Sequence, residues 1–276
     1  MSRLIIPILA LLLSACGQAG KNVLTKPERP ARIVSLDYCA DQYVLGLVDR
    51  QKIAALSPDA EASFSYLRDE ARGLKKVRPR AEDILLLKPD IVVRTYGGGV
   101  NITALMERAG IDVVQIGYAN DLAGVQRVIT ETAAALHADA RGAEIVADMA
   151  QRLAALPSFS DPPTVLYLTS KGATAGRNTM IDDLIARAGL ANYREQSGWT
   201  GSIPLEELVS GGPDLVATGF FETSDLTSDL WTPTRHPVAQ RFLASTPAVN
   251  LPGAWTSCGA WPLVDAVEAL SARAEA

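Results

Sequence analysis

The chain has 276 residues, with 26 Lys or Arg against 31 Asp or Glu, a formal charge of -5. Its 48% hydrophobic content supports one large or two medium cores and argues against disorder. No basic block is present to meet a phosphate backbone, which excludes a nucleic-acid partner. His137 and His236 are the only histidines, too few for a multi-His metal centre and poor support for a Ser/His/Asp triad. No Gly-x-Ser-x-Gly or His-Glu-x-x-His phrase occurs either, so an enzyme is not expected.

Arg3 gives a short positive start, and Leu4 to Leu13 form an apolar run of ten residues interrupted only by Pro7. Such a run is too short to span a bilayer and has the build of a signal segment. Leu13-Ser14-Ala15-Cys16-Gly17, small residues ahead of a cysteine, resembles a bacterial lipobox. Residues 1–15 are therefore read as a lipoprotein signal and Cys16 as the lipidated new N-terminus. Residues 16–30, with Pro27 and Pro30, read as a flexible tether. An ordinary secretory signal ending near Ala15 is the alternative.

From Arg32 onward short apolar strands alternate with helical stretches, the pattern of an α/β protein with mainly parallel sheets. Strands are expected at 32–36, 53–56, 90–93 and 112–116, with helices at 41–48, 81–87 and 102–109. A second series has strands at 164–168 and 214–217 and a strand-like stretch near Ala254. Its helices are expected at 181–188, at 205–209, after Pro237 and through 265–270. The two series echo each other in letters. Glu82 precedes Pro89-Asp90-Ile91-Val92 by the same seven residues that separate Glu206 from Pro213-Asp214-Leu215-Val216, and Arg108-Ala109-Gly110-Ile111 matches Arg187-Ala188-Gly189-Leu190. Two matches in one order imply two similar lobes.

Between the series, apolar stripes at Leu122, Val125, Ile129, Thr132, Leu136 and at Ile145, Met149, Leu153, Leu156 predict two helices, with Asp139 capping the second. About 18 residues would make that second helix roughly 27 Å long, a stiff spacer. The expected layout is an N-terminal α/β lobe over 31–120, a helical connector over 121–157 and a C-terminal α/β lobe over 158–276, with the ligand cleft between lobes.

On these phrases, chiefly Arg32 to Leu36, Glu82 to Val93 and Leu205 to Val216, the chain resembles the helix-linked (class III) substrate-binding proteins of ABC importers for ferric siderophores, haem and cobalamin. The resemblance implies two lobes on a single long helix and a ligand held without covalent attachment. It also implies delivery to a permease dimer in the inner membrane, with one glutamate per lobe docking onto permease arginines; by motif position these are Glu82 and Glu206. First-turn glutamates are also favoured simply by the helix dipole. The expected protein is a monomer in the periplasm, anchored to a membrane by lipid, with an iron-siderophore or corrinoid as ligand. A lipid-anchored scaffold or a binder of free metal ions are the competing readings, the second short of histidines.

Ligands of open α/β sheets bind at loops beyond the carboxyl ends of strands. Those loops offer Tyr38, Cys39, Tyr96, Gly97 and Gly98 in the first lobe. The second offers Lys171, Arg177, Trp199, Phe220, Trp255 and Cys258. Rings suit a bulky, partly apolar chelate, glycines let backbone approach it, and the two cations would meet carboxylate or phosphate. Cys39 and Cys258 are both placed at the cleft rim. In an oxidising compartment pairing is a natural expectation, but they belong to different lobes, and two separate buried thiols are expected over a bond that would staple the cleft.

Overall fold

Ile33–Ser35 forms β1, buried on both faces as a strand inside a parallel sheet should be. The computed structural model describes residues 31–202, 204, 206–207, 211–219 and 236–276. The signal segment, Cys16, the tether and Phe220 lie outside the described residues. After β1 come α1 (Tyr38–Leu47), β2 (Ile53–Ala55), α2 (Ala81–Leu85), β3 (Ile91–Arg94), α3 (Ile102–Arg108) and β4 (Asp112–Gln115). The sheet order is β2-β1-β3-β4, parallel at every pairing.

The connector consists of two helices, α4 (Leu122–Ala135) and α5 (Asp139–Ala154). Asp121 caps α4 by accepting from the Gly124 N–H. The second helix has 16 residues, about 24 Å. Asp139 does not cap it: the N-cap is Ala138, and Asp139 sits one position inside, where it still favours the positive end of the dipole.

The second lobe follows with β5 (Thr164–Thr169), β6 (Ala173–Ala175), α6 (Met180–Arg187), β7 (Ala191–Asn192), β8 (Trp199–Ser202), β9 (Leu215–Gly219), α7 (Pro237–Ser245), β10 (Ala248–Leu251), α8 (Gly253–Thr256) and α9 (Leu263–Glu275). Strands β10, β9, β5 and β7 pair in that order, all parallel, which repeats the order of the first sheet. The β6 and β8 strands add an antiparallel extension at the same edge of β5. The strand expected near Ala254 is displaced: Ala248–Leu251 is the strand, and Pro252 starts the short α8 because its fixed φ suits a helix entry.

The sequence echo has a structural counterpart. Asp90, ahead of β3, accepts the Arg32 N–H at 2.8 Å, and Asp214, ahead of β9, accepts the Thr164 N–H at 2.8 Å. Each aspartate thus pins the start of the central strand beside its own, where unpaired backbone groups would otherwise be left. The Arg-Ala-Gly phrases end α3 and α6 identically. Gly110 and Gly189 adopt φ of 73° and 79°, and the next residue's N–H reaches back to Met106 O and Ile185 O, the Schellman closure that needs a left-handed residue.

The largest buried cluster is continuous through both lobes and the connector, including Tyr43 and Val44 of α1, Val125 and Ile129 of α4, Met149 of α5, Tyr167 of β5 and Val264 of α9. Arg152 on α5 reinforces this junction by ion pairs with Asp265 and Glu268 of α9.

Candidate functional site

The site is organised by Asp37, two residues past the end of β1. Its extended backbone ends the strand, and its carboxylate caps α1 by accepting the Ala40 N–H at 2.9 Å. The same carboxylate accepts the N–H groups of Thr95, Tyr96 and Gly97 at 2.8, 3.1 and 2.9 Å, and the Thr95 hydroxyl. One buried side chain therefore welds the loop after β3 to the start of α1. Gly97 is required by this closure, since a Cβ there would sit 2.3 Å from the Leu36 carbonyl oxygen. The result places Tyr38 and Tyr96 edge to face, ring centres 6.1 Å apart, with Phe64 packed 4.8 Å from Tyr38.

One turn along α1, Asp41 is fully buried and accepts the Ser57 N–H at 3.0 Å and the Ser57 hydroxyl. Burial pushes its carboxyl up to about 6. The folded state therefore holds the proton more tightly than the unfolded chain, a contribution complete below pH 4 and lost as pH rises through 6. Stability of the wild type should fall relative to Asp41→Asn over this window, by up to about 3 kcal/mol. Urea melts of both proteins at pH 4 and pH 7 measure it; parallel behaviour would show that Asp41 does not titrate in this range.

Loops from both lobes enclose a cavity of about 640 Å³. From the first lobe come Tyr38, Cys39, Thr95, Tyr96 and the loop Gln115 to Asn120. From the second come Asn178, Thr179, Met180, Trp199 and Thr256 to Gly259. Tyr96, Tyr118 and Trp199 stand at the rim, 58%, 85% and 55% exposed. Trp199 is braced by Tyr167, ring centres 5.8 Å apart. No Asp, Glu, Lys, Arg or His is among the described lining residues. Burial holds the Tyr38 and Tyr96 phenols above their ordinary value, so both stay neutral hydrogen-bonding groups. What remains polar is hydroxyl and carboxamide, from Gln115, Asn120 and Asn178. Among the described residues no cluster of three or more metal-ligating side chains occurs.

The two cysteines correct the expectation of separate thiols: Cys39 and Cys258 are disulfide-bonded, with Cα atoms 5.4 Å apart. The fold makes this bond natural. Asp37 starts α1 three residues earlier than the expected Asp41, which brings Cys39 into the first turn facing the loop after α8. The surrounding seam is continuous. The Tyr43 hydroxyl donates to Gly259 O at 2.6 Å, the Ser257 hydroxyl donates to Phe64 O at 3.2 Å, and the Trp261 ring lies over Gly46, where a Cβ would approach it to 2.4 Å. The bond closes a loop between residues 219 apart. Replacing both cysteines with alanine should lower stability by about 4 kcal/mol, read from urea midpoints under non-reducing conditions.

Of the residues singled out in the sequence, Tyr38, Cys39, Tyr96, Trp199 and Cys258 converge on this cavity. Gly97 and Gly98 lie behind it: the first closes on Leu36, the second turns the chain with φ of 83° against Ile102. Trp255 packs against the core cluster. Lys171 is exposed in the β5–β6 turn, and Arg177 lines a separate surface groove with Arg194 and Glu207. Neither cation joins the cavity lining. Missed in the sequence were Gln115, Tyr118 and Asn120. Gln115 ends β4 and the other two follow it, so the carboxyl-end rule that found the other loops applies to them too.

Two matching α/β lobes on a helical connector, with an aromatic cavity between their loops, define a two-lobed binding protein of the helix-linked class. The chain belongs to the periplasmic binding protein family, which it matches over residues 33–250; its members are substrate-binding transport proteins, not enzymes. Over 210 residues it is 29% identical to a cobalamin-binding protein of Halobacterium salinarum, covering 73% of this chain and 57% of that one, so it spans little more than half the length of that relative. Among solved structures it resembles the haem-binding protein HutB of Vibrio cholerae (TM-score 0.71, 20% identity, 88% of this chain and 98% of that one). It also resembles the haem-binding protein BhuT in complex with two haems (0.64, 23%, 88% and 97%) and the vitamin B12-binding protein BtuF of Vibrio cholerae (0.57, 18%, 89% and 97%). At these identities the likeness is one of fold.

Proposed function

We propose that this protein captures an uncharged, carboxamide-rimmed metal chelate of the corrinoid class in the cavity between its lobes and delivers it to an inner-membrane ABC permease. The observation that carries this reading is the lining itself. Among the described residues it has rings and amides and no ionised side chain. Burying a carboxylate there without a cationic partner would cost several kcal/mol, which disfavours a porphyrin with ionised propionates and a polyanionic tris-catecholate. Gln115, Asn120 and Asn178 suit an amide-bearing ligand edge, and the rim aromatics suit its apolar face. The similarity to a cobalamin-binding relative points the same way. A ferric hydroxamate, also uncharged, is the nearest competitor.

Residues 1–16 support export and lipid attachment at Cys16, with the body working in the periplasm. Glu82 and Glu206 are exposed, helical and outside the cavity lining, one in each half of the repeat, which suits docking onto a two-fold permease. Titration with cyanocobalamin should quench tryptophan fluorescence, and Trp199→Phe should remove most of that signal. A response to ferric hydroxamates and none to cyanocobalamin would transfer the assignment to the siderophores. Silence across a broad chelate panel would favour a scaffold.

A further inference from the structure

The Cys39–Cys258 bond is the one disulfide between the lobes among the described residues, and it lies in the wall of the cavity. Its two residues differ in exposure. Cys39 is 9% exposed, while Cys258 is half-buried and follows the half-buried Ser257. Without the bond, the seam is held by the Tyr43 and Ser257 hydrogen bonds, by Trp261 packed over Gly46 and by the shared core cluster that includes Tyr43, Val44 and Val264. These contacts run from α1 and the segment at Phe64 to the stretch between α8 and α9, and the disulfide lies among them. The connector joins the lobes elsewhere, through Leu122 N–H to the Asp183 carboxylate at 2.8 Å and through Arg152 to α9. Loosening the seam therefore frees the cavity side while the connector still holds the two halves.

We infer that the Cys39–Cys258 bond is a thiol-exchange site that sets ligand retention: oxidised, it pins the cleft at binding width; reduced, it lets the seam open and the ligand leave. The co-reactant is a dithiol of the thioredoxin class. One reductant thiolate attacks the sulfur of Cys258, the more exposed residue, forming a mixed disulfide and releasing Cys39 as a thiolate that takes a proton. The second reductant thiol then attacks the mixed disulfide. Cys258 leaves as a thiolate and is protonated, and the reductant becomes its own disulfide, so two electrons and two protons reach the protein. Because a ligand in the cavity covers the bond, occupancy protects it. By reciprocity, a tenfold loss of affinity on reduction corresponds to a midpoint potential about 30 mV lower with ligand bound.

The inference rests on the cavity being the ligand site, so its test carries a readout that needs no ligand. Amide hydrogen exchange is compared between the oxidised protein, the protein in dithiothreitol and the Cys39→Ala/Cys258→Ala variant. Exchange across 37–47 and 253–263 should accelerate at least tenfold more than exchange of β3, β5 and β9 in both forms that lack the bond. Unchanged exchange would overturn the inference, as would acceleration by one uniform factor across the seam and the core strands, which would make the bond merely structural. With cyanocobalamin, affinity should drop about tenfold on reduction, and ligand should slow reduction by dithiothreitol. Equal affinity of both forms would overturn the retention role. Absence of binding to either form would instead refute the ligand assignment, and the exchange data would still decide whether the seam opens.

Discussion

Reversing both exposed glutamates together, Glu82→Arg with Glu206→Arg, is expected to reduce chelate uptake by at least about 100-fold while leaving affinity for the chelate within about twofold of wild type. The physical basis is a separation of duties. Both side chains are exposed and outside the cavity lining, so neither reaches the ligand. Glu82 lies in the first turn of α2, where its charge contributes at most about 1 kcal/mol to the fold, and circular dichroism of the reversed protein should match the wild type. A cationic permease surface meeting arginine instead of glutamate faces like-charge contacts worth several kcal/mol, and one on each lobe is enough to abolish productive docking. Uptake in cells with binding measured on the purified protein checks both halves. Unimpaired uptake would refute the docking role, and lost affinity would move these residues to the ligand site.

Asp37→Ala is expected to be the most damaging single substitution at the site, lowering stability by about 4 kcal/mol and chelate affinity by about tenfold or more. The carboxylate accepts the N–H groups of Ala40, Thr95, Tyr96 and Gly97 and the Thr95 hydroxyl, and alanine offers none of them a partner. A buried donor left unsatisfied costs about 1–3 kcal/mol, and relaxation of the 95–99 loop recovers part of that sum. The affinity loss has a separate cause: Tyr38 and Tyr96 no longer share a fixed anchor, so their relative placement must be restored on binding. Asp37→Asn, which keeps one acceptor oxygen but turns an amide N–H toward donors, should fall between alanine and wild type in both measurements. Equal urea midpoints for wild type and Asp37→Ala would refute the account of this anchor.

What could be read from the sequence had a local physical cause. The central strands announced themselves as short apolar runs after Pro-Asp, and the shared aspartate-to-backbone bond explains why the same letters occur twice. Gly110 and Gly189 marked helix ends because only a left-handed residue closes them cheaply. Strands β6 and β8 were invisible, since Ala173-Thr174-Ala175 and Trp199-Thr200-Gly201 show no strong apolar alternation and exist through pairing with each other and with β5. The start of α1 was misplaced because Asp37 caps a first turn whose own letters are not strongly helical. The disulfide had no local signal at all: it joins residues 219 apart that only the folded seam brings together. Tyr96 and Trp199 were legible as loop aromatics, whereas the absence of charge among the cavity's described residues emerged only when the chain was folded and Lys171 and Arg177 turned outward.

Isothermal titration of the oxidised protein with cyanocobalamin and with haemin at neutral pH tests the neutral-cavity reading most directly. Preference for cyanocobalamin by at least about 100-fold is the predicted result, because each haem propionate would enter the cavity without a cationic partner among the described residues. Equal or tighter binding of haemin would contradict it.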